Sequence, residues 1–286
     1  MARYRLKTQK NIHPAPVKGF SAENSCIYNN CCNFNWAGCV NQSKAINLQS
    51  MKTILHKADT RGHANHGWLN SYHTFSFAGY HDPSRVHFGA LRVLNDDIVK
   101  GGAGFGRHPH DNMEIVSIPL SGALEHGDNT GGHGIIKSGE VQIMSAGSGI
   151  AHSEKNASET DPVNFLQIWV FPKMRNIQPR YDQKLFSAED RINKFQTVVS
   201  PEKDGNSLWI NQDAWFSLGK IKAGHAADYA VNRKESGVYT FVIEGNVTIN
   251  GEKLNKRDGL GVWDTDKLSV SADSDAEVLL IEVPMN

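Results

Sequence analysis

Several absences narrow this 286-residue sequence before any motif is considered. Neither sign of charge is in excess, since Lys+Arg and Asp+Glu are both 30. No long basic block interrupts that balance, so the electrostatic footprint of a nucleic-acid binder is missing. No apolar run approaches the ~20 residues of a membrane span, so no membrane partner is expected. Cysteine stops early: Cys26, Cys31, Cys32 and Cys39 are followed by none. The body of the chain therefore has no disulfide framework, which suits a reducing compartment and a cytoplasmic protein. The four cysteines also lack paired Cys-x-x-Cys spacing, which favours free thiols over a structural zinc site. Met1-Ala-Arg-Tyr-Arg-Leu-Lys7 is basic, but no apolar segment of ~7–15 residues follows it, so a secretory signal is not supported.

The length suffices for one large or two modest domains with a real core. Glycine is frequent, with 26 residues, and strand-like runs outnumber helix-like ones. Residues 1–50 are rich in Asn, Ser and Lys without periodicity. They read as a mostly disordered extension or a start-site artefact, with Met51 itself a candidate start. From there strand candidates follow closely: Thr74–Phe77, Val86–Leu94, Met113–Leu120 with a turn at Ser121-Gly122, Ala123–His126, Glu140–Met144, His152–Glu154 and Asn164–Phe171. Asn95-Asp96-Asp97 marks a turn. Short strands with turns every 8–12 residues predict an all-β sandwich or small barrel. Residues 173–207 form a connector, with a short helix over about 187–195 opened by the capping-box-like Ser187-Ala-Glu-Asp190. A second set of strands runs from Leu208 to the end. Gly245, after Glu244, echoes Gly122. Positions equivalent to His108, His110 and Glu114 are Val231, Arg233 and Gly237, so the second half repeats the architecture without its polar cluster. It is expected to serve as a lid or an oligomerisation surface. The expected division is 1–50, 51–172, 173–207 and 208–286.

The chemistry concentrates between Gly106 and Asn156. Arg107-His108-Pro109-His110-Asp111-Asn112-Met113-Glu114 opens the stretch, and Gly149-Ile150-Ala151-His152-Ser153-Glu154 closes it. Residues two apart on a strand share a face, so His108, His110 and Glu114 are expected on one face, and His152 and Glu154 on one face of another strand. Two such strands turned inward bring three imidazoles and a carboxylate to one point, a donor set for a metal ion. Parity alone leaves Glu114 and Glu154 as alternative fourth ligands. The glycine-rich Gly101–Gly106 lacks the Lys-Ser/Thr of a phosphate loop and instead suits close approach of backbone to the site. His63, His66, His73, His81 and His87 read singly as surface or hydrogen-bonding residues, with Tyr72, His73 and Phe75 as candidates for a pocket mouth.

Gly106-x-His108-x-His110-x-x-x-Glu114, then Gly149-x-x-His152-x-x-x-Asn156, resembles the two cupin motifs. The wording is closer still to the pirin family: Leu69-Asn-Ser-Tyr-His-Thr-Phe-Ser-Phe77, Phe88-Gly-Ala-Leu-Arg-Val-Leu-Asn-Asp96, His108-Pro-His110, Gly139-Glu-Val-Gln-Ile-Met-Ser-Ala-Gly147 and Gly149-Ile-Ala-His-Ser-Glu154. The resemblance covers about 51–286. It implies two tandem cupin barrels of the double-stranded β-helix or jelly-roll kind, with a metal in the first only. It also implies His108, His110, His152 and Glu154 as metal ligands, which leaves Glu114 as an acid/base candidate beside Glu154.

The implied cofactor is a divalent transition metal, Fe(2+) first, with Mn, Ni, Cu, Co or Zn as alternatives. The implied activity is ring-cleaving dioxygenation of a flavonol such as quercetin, with O2 and a flavonol or catechol-like molecule as small-molecule partners. Either Glu154 or Glu114 would take the substrate hydroxyl proton. The alternatives are a non-enzymatic, iron-dependent co-regulator or redox sensor that binds a transcription factor, and a different metal-dependent small-molecule enzyme. A monomer is expected. Free imidazoles protonate near ~6.5, so the metal should leave as pH falls toward 5.

Overall fold

The computed structural model describes residues 51–285. The expected extension and its four cysteines lie outside the described residues. Among the described residues, two sheets of seven strands and two of four make up the fold. The first seven-stranded sheet runs in the order Arg180–Leu185, Glu140–Ser145, Glu114–Ser121, Val163–Val170, Leu91–Val99, Leu69–His73, Gly62–Asn65. Against it closes the four-stranded sheet Gly104–His110, Ile150–Asn156, Ala123–Asp128, His133–Lys137. The second pair repeats this plan. Its larger sheet is Lys52–His56, Gly259–Trp263, Ser236–Glu244, Ala276–Pro284, Trp215–Ile221, Phe195–Ser200, Leu208–Trp209, and its smaller one is Ala226–Ala230, Lys267–Ala272, Val247–Ile249, Glu252–Leu254. The fold is thus all-β, two barrels of the cupin kind.

Strand pairing divides the chain differently from the sequence texture. Lys52–His56, first in the chain, pairs with Gly259–Trp263 of the second barrel. There His56 Nδ1 lies 2.8 Å from the hydroxyl of the fully buried Tyr239. Arg180–Leu185, inside the expected connector, extends the first barrel by pairing with Glu140–Ser145. The expected helix at 187–195 is a single 3-10 turn, Ala188–Arg191, whose Ser187 side chain accepts from Glu189 N. It stops because Asn193 takes a left-handed φ of 53° and strand pairing resumes at Phe195.

Asn95-Asp96-Asp97 is no turn. It lies within the strand Leu91–Val99, and all three side chains are buried. Each acid finds donors: Asp96 meets Arg61 at 3.4 Å, Arg257 at 3.3 Å and Asn164 at 2.8 Å, and Asp97 accepts from Ser71. Partners distant in sequence let a polar triplet stay in a sheet. The expected strand from Val86 also starts later, because Gly89 has a φ of 51°.

Alternation sorts the apolar residues into separate cores. Val116, Ile118, Leu166 and Ile168 on the first large sheet pack with Phe216, Tyr239, Phe241 and Ile281 on the second, which joins the barrels through an apolar layer. The second barrel is filled by Val238, Val242, Val247, Val270 and Leu280 among others. The first barrel has two smaller clusters instead, around Leu69, Leu124 and Phe165, and around Ile115, Met144 and Ile150. Polar residues break its interior: Ser117, His126, Gln142, His152 and Glu154 are all buried there.

Candidate metal centre

Two neighbouring strands build the site. Gly104–His110 and Ile150–Asn156 pair antiparallel, with His152 opposite His108 and Ile150 opposite His110. The register shifts between His152 and Glu154. The three imidazoles converge: ring centroids are 4.5 Å (His108–His152), 4.8 Å (His108–His110) and 4.9 Å (His110–His152) apart. His108 Nε2 and His152 Nε2 are 3.1 Å apart. His108 Nδ1 lies 2.8 Å from the Gly106 carbonyl. A carbonyl only accepts, so Nδ1 carries a proton, and in the neutral tautomer this leaves Nε2 as the nitrogen with a lone pair.

Glu154 enters from the same strand as His152. One carboxylate oxygen accepts from Ser117 Oγ at 3.0 Å and the other from Gln167 Nε2 at 2.9 Å. These bonds aim the group. Ligating atoms of His108, His110 and His152 all lie within 4.8 Å of one another, and so do those of His126, His152 and Glu154. His152 links the two groups.

The electrostatics suit a cation. Burial, and then the neighbouring histidines, lower the pKa of His110 to about 4 and that of His152 to about 3. Both rings are therefore neutral at pH 7. A nest of nitrogen lone pairs beside a buried carboxylate is the donor set of a divalent first-row metal. At these two rings protons compete with a metal only below the pH of 5 expected for ordinary imidazoles.

The parity argument fails for Glu114. The strand through His110 ends there, Asn112 turns the chain at a φ of 48°, and a new strand starts at Glu114. Glu114 thus shares a face with Val116 and Ile118, toward the second barrel, while Ser117 faces the metal centre. Its carboxylate accepts from Ser145 Oγ at 2.8 Å and from Asn211 N at 3.1 Å. It belongs to neither donor group.

A cavity of about 410 Å³ opens onto His108 and His110. Trp68, Leu69, Phe77, Phe105 and Trp169 give it a largely apolar wall, and Ser71, Asp97 and Gln167 add polar groups. Its size and mixed lining are those of a small-molecule site. Of the residues expected at a pocket mouth, His73 lines this cavity. Phe75 is in the core between the barrels, and Tyr72 stacks on His63 at 4.6 Å. His66 lines the cavity as well.

Asp97 is a functional candidate that sequence reading passed over as a turn residue. Burial pushes its carboxyl up to about 7; the Ser71 hydrogen bond opposes this, and the charges of Asp96 and Glu154 add to it. His126 was also missed. The alternation of Leu124 and His126 in a short strand was its one available signal.

The pirin family model matches residues 55–170, and the model described as quercetinase C-terminal cupin domain matches residues 197–283. The protein named quercetin 2,3-dioxygenase of Escherichia coli (strain K12) is 47% identical over 234 residues, 80% of this chain and 98% of that protein. A pirin-like protein of Caulobacter vibrioides is 42% identical over 78% of this chain and 96% of its own length. Among solved structures, the bacterial pirin YhhW from Escherichia coli in complex with nickel(II) has 45% sequence identity and a TM-score of 0.78, covering 82% of this chain and 100% of that one. A quercetin 2,3-dioxygenase structure from Acinetobacter baumannii, 20% identical with a TM-score of 0.65 over 82% of this chain and 87% of that one, shares the fold.

Proposed function

This chain belongs to the pirin family, and on that premise we propose that its first barrel is a metal-dependent dioxygenase centre that cleaves a flavonol such as quercetin with O2. The observation that carries this is the convergence of His108, His110 and His152, with Glu154 grouped beside His152, next to a 410 Å³ cavity that His108, His110 and several aromatic side chains line. His108, His110, His152 and Glu154 would hold a divalent metal, with iron expected first. When bound, that ion supplies Lewis acidity toward the hydroxyl and carbonyl oxygens of the substrate, and coordination room for dioxygen.

The protein's own part is positioning and proton transfer. Trp68, Phe77, Phe105 and Trp169 offer flat apolar faces to a planar polyphenol. Trp169 stands edge-on to His110 at 4.9 Å, so a ring stacked on it would lie beside the metal centre. A flavonol must lose its hydroxyl proton before it reacts. Asp97, at about 7, is half-ionised at neutral pH and matched to accept that proton. Ser117 and Gln167 meanwhile occupy Glu154 and keep it directed. Glu114, whose carboxylate accepts from Ser145 and Asn211 on the opposite face of the sheet, is given no part in this step.

The test is anaerobic loading of the purified protein with ferrous iron or nickel, followed by oxygen-uptake assays over a panel of flavonols and catechols. Uptake that scales with metal content and requires a flavonol is the expected result. A metal-loaded protein without turnover over the whole panel would sink the enzymatic reading and point to a binding role.

A further inference from the structure

The glycine-rich stretch Gly101–Gly106 leads into the strand Gly104–His110, which among the described residues is the edge strand of its four-stranded sheet. Gly106 and Arg107 together lie across from Ser153 alone, and the register shifts there. This bulge decides where Phe105 points. Residues three apart on a regular strand face opposite ways, but Phe105 sits opposite Glu154 and His108 opposite His152, so both turn to the same face. Phe105 then meets Trp68 edge to face, with ring centroids 5.2 Å apart and planes at 76°.

Trp68 and Phe105 wall two cavities. One is the aromatic cavity of about 410 Å³ that His108 and His110 line. The other, of about 450 Å³, adjoins it at this pair and is lined differently. Glu125, Glu159 and Lys155 bring polar groups to it, and Gly102, Gly104 and Gly106 leave the backbone bare. Gly106 has open space where a side chain would project. Phe105 is three residues from His108, at most about 10 Å along the strand, a distance that one flavonol skeleton spans. A flavonol held at the histidines by its hydroxyl and carbonyl oxygens therefore reaches the aromatic pair with a far ring, and a substituent on that ring reaches the second cavity.

The lining selects the kind of substituent. Its charges are mixed, two carboxylates and one amine, which offers no concentrated positive field to a sulfate or a phosphate. Carboxylate oxygens, an ammonium and bare peptide groups present acceptors and donors together, and a neutral group with several hydroxyls answers both. The aromatic rim suits the apolar C–H face of a sugar ring. We propose that the second cavity is a subsite for a sugar, and that this chain takes flavonol glycosides whose sugar sits on a ring far from the metal-binding oxygens. The inference rests on the flavonol reading of the first barrel and narrows its substrate class.

Nickel-loaded full-length protein kept free of oxygen binds without turnover, so calorimetry reads affinity alone. Quercetin is compared with its 7-O-glucoside, its 4′-O-glucoside and its 7-O-sulfate. At least one glucoside should bind on the order of ten-fold more tightly than quercetin, the worth of one or two net hydrogen bonds. Ala157→Trp puts a large side chain into the second cavity from an exposed position. It should abolish that gain and leave quercetin binding unchanged. If thermal unfolding shows that Ala157→Trp does not fold, Glu125→Ala combined with Glu159→Ala decides instead, and should remove most of the gain. Glucosides that bind no more tightly than quercetin to the wild type would overturn the proposal. A gain that survives the deciding variant would overturn it as well, and so would a sulfate that gains as much as the glucosides, which would mark an anion site. Failure of quercetin itself to bind would instead overturn the flavonol reading, and this proposal with it.

Discussion

Glu114→Gln separates two accounts of the same residue. Its carboxylate is fully buried between the barrels, with one oxygen accepting from Ser145 and Asn211 and the other unpartnered among the described residues. Burial pushes its pKa from 4.5 to about 7, against those two hydrogen bonds and the more distant charge of Arg180. For an acid raised in this way, the folded state holds its proton longer than the unfolded chain does. The stabilising contribution is fully present below about 4.5 and is lost as pH rises to about 7. From pH 4 to pH 8 the loss amounts to about 3 kcal/mol. A glutamine cannot ionise, and its oxygen can keep both accepted bonds. Urea unfolding of the apo protein at pH 4, 6 and 8 measures the difference between variant and wild type, in which groups that titrate alike cancel. The variant should gain about 3 kcal/mol on the wild type between pH 4 and 8 and bind metal normally. A difference that does not change with pH would refute the burial argument. Loss of metal would return Glu114 to the ligand set.

His110→Ala should release most of the bound metal, whereas His225→Ala, an exposed residue of the second barrel, should not; elemental analysis of untagged protein reads both. Equal losses would mean that the second barrel binds metal too. With His110 and His152 lowered to about 4 and 3, their neutral form persists well below the usual histidine range. Metal should therefore survive dialysis at pH 5 and fall away through about pH 4, and early loss near 6 would contradict those values. Trp169→Phe keeps the aromatic wall but removes a buried Nε1–H without a partner among the described residues. It should weaken quercetin binding several-fold, on the order of one neutral hydrogen bond, with metal content unchanged by the same analysis. Gly89→Ala forces a side chain into a left-handed backbone, where its Cβ would run into the Pro284 carbonyl. The cost should be about 1–3 kcal/mol, and an unchanged melting temperature would show that this junction yields.

Local signals carried much of this protein. Alternating short runs and closely spaced turns require strands, because side chains two apart share a face and strands must bury one side. The histidine pair at 108 and 110 and the histidine at 152 lie in such runs, so their meeting was legible from spacing and motif wording. The repeat was legible too, as Gly245 echoes Gly122.

Other features depend on the path of the chain through space. Parity holds only along an unbroken strand, and the turn at Asn112 reversed the face of Glu114. Asn95-Asp96-Asp97 has turn composition, yet Arg61, Arg257, Asn164 and Ser71 satisfy it inside a sheet. Only tertiary pairing shows that Lys52–His56 completes the second barrel, or that His126 stands beside His152. A sequence fixes which faces of its strands are apolar and which carry donors. Which donors meet is decided by the register between strands far apart in the chain, where hydrogen bonds and packing choose among alternatives that local pattern leaves equal.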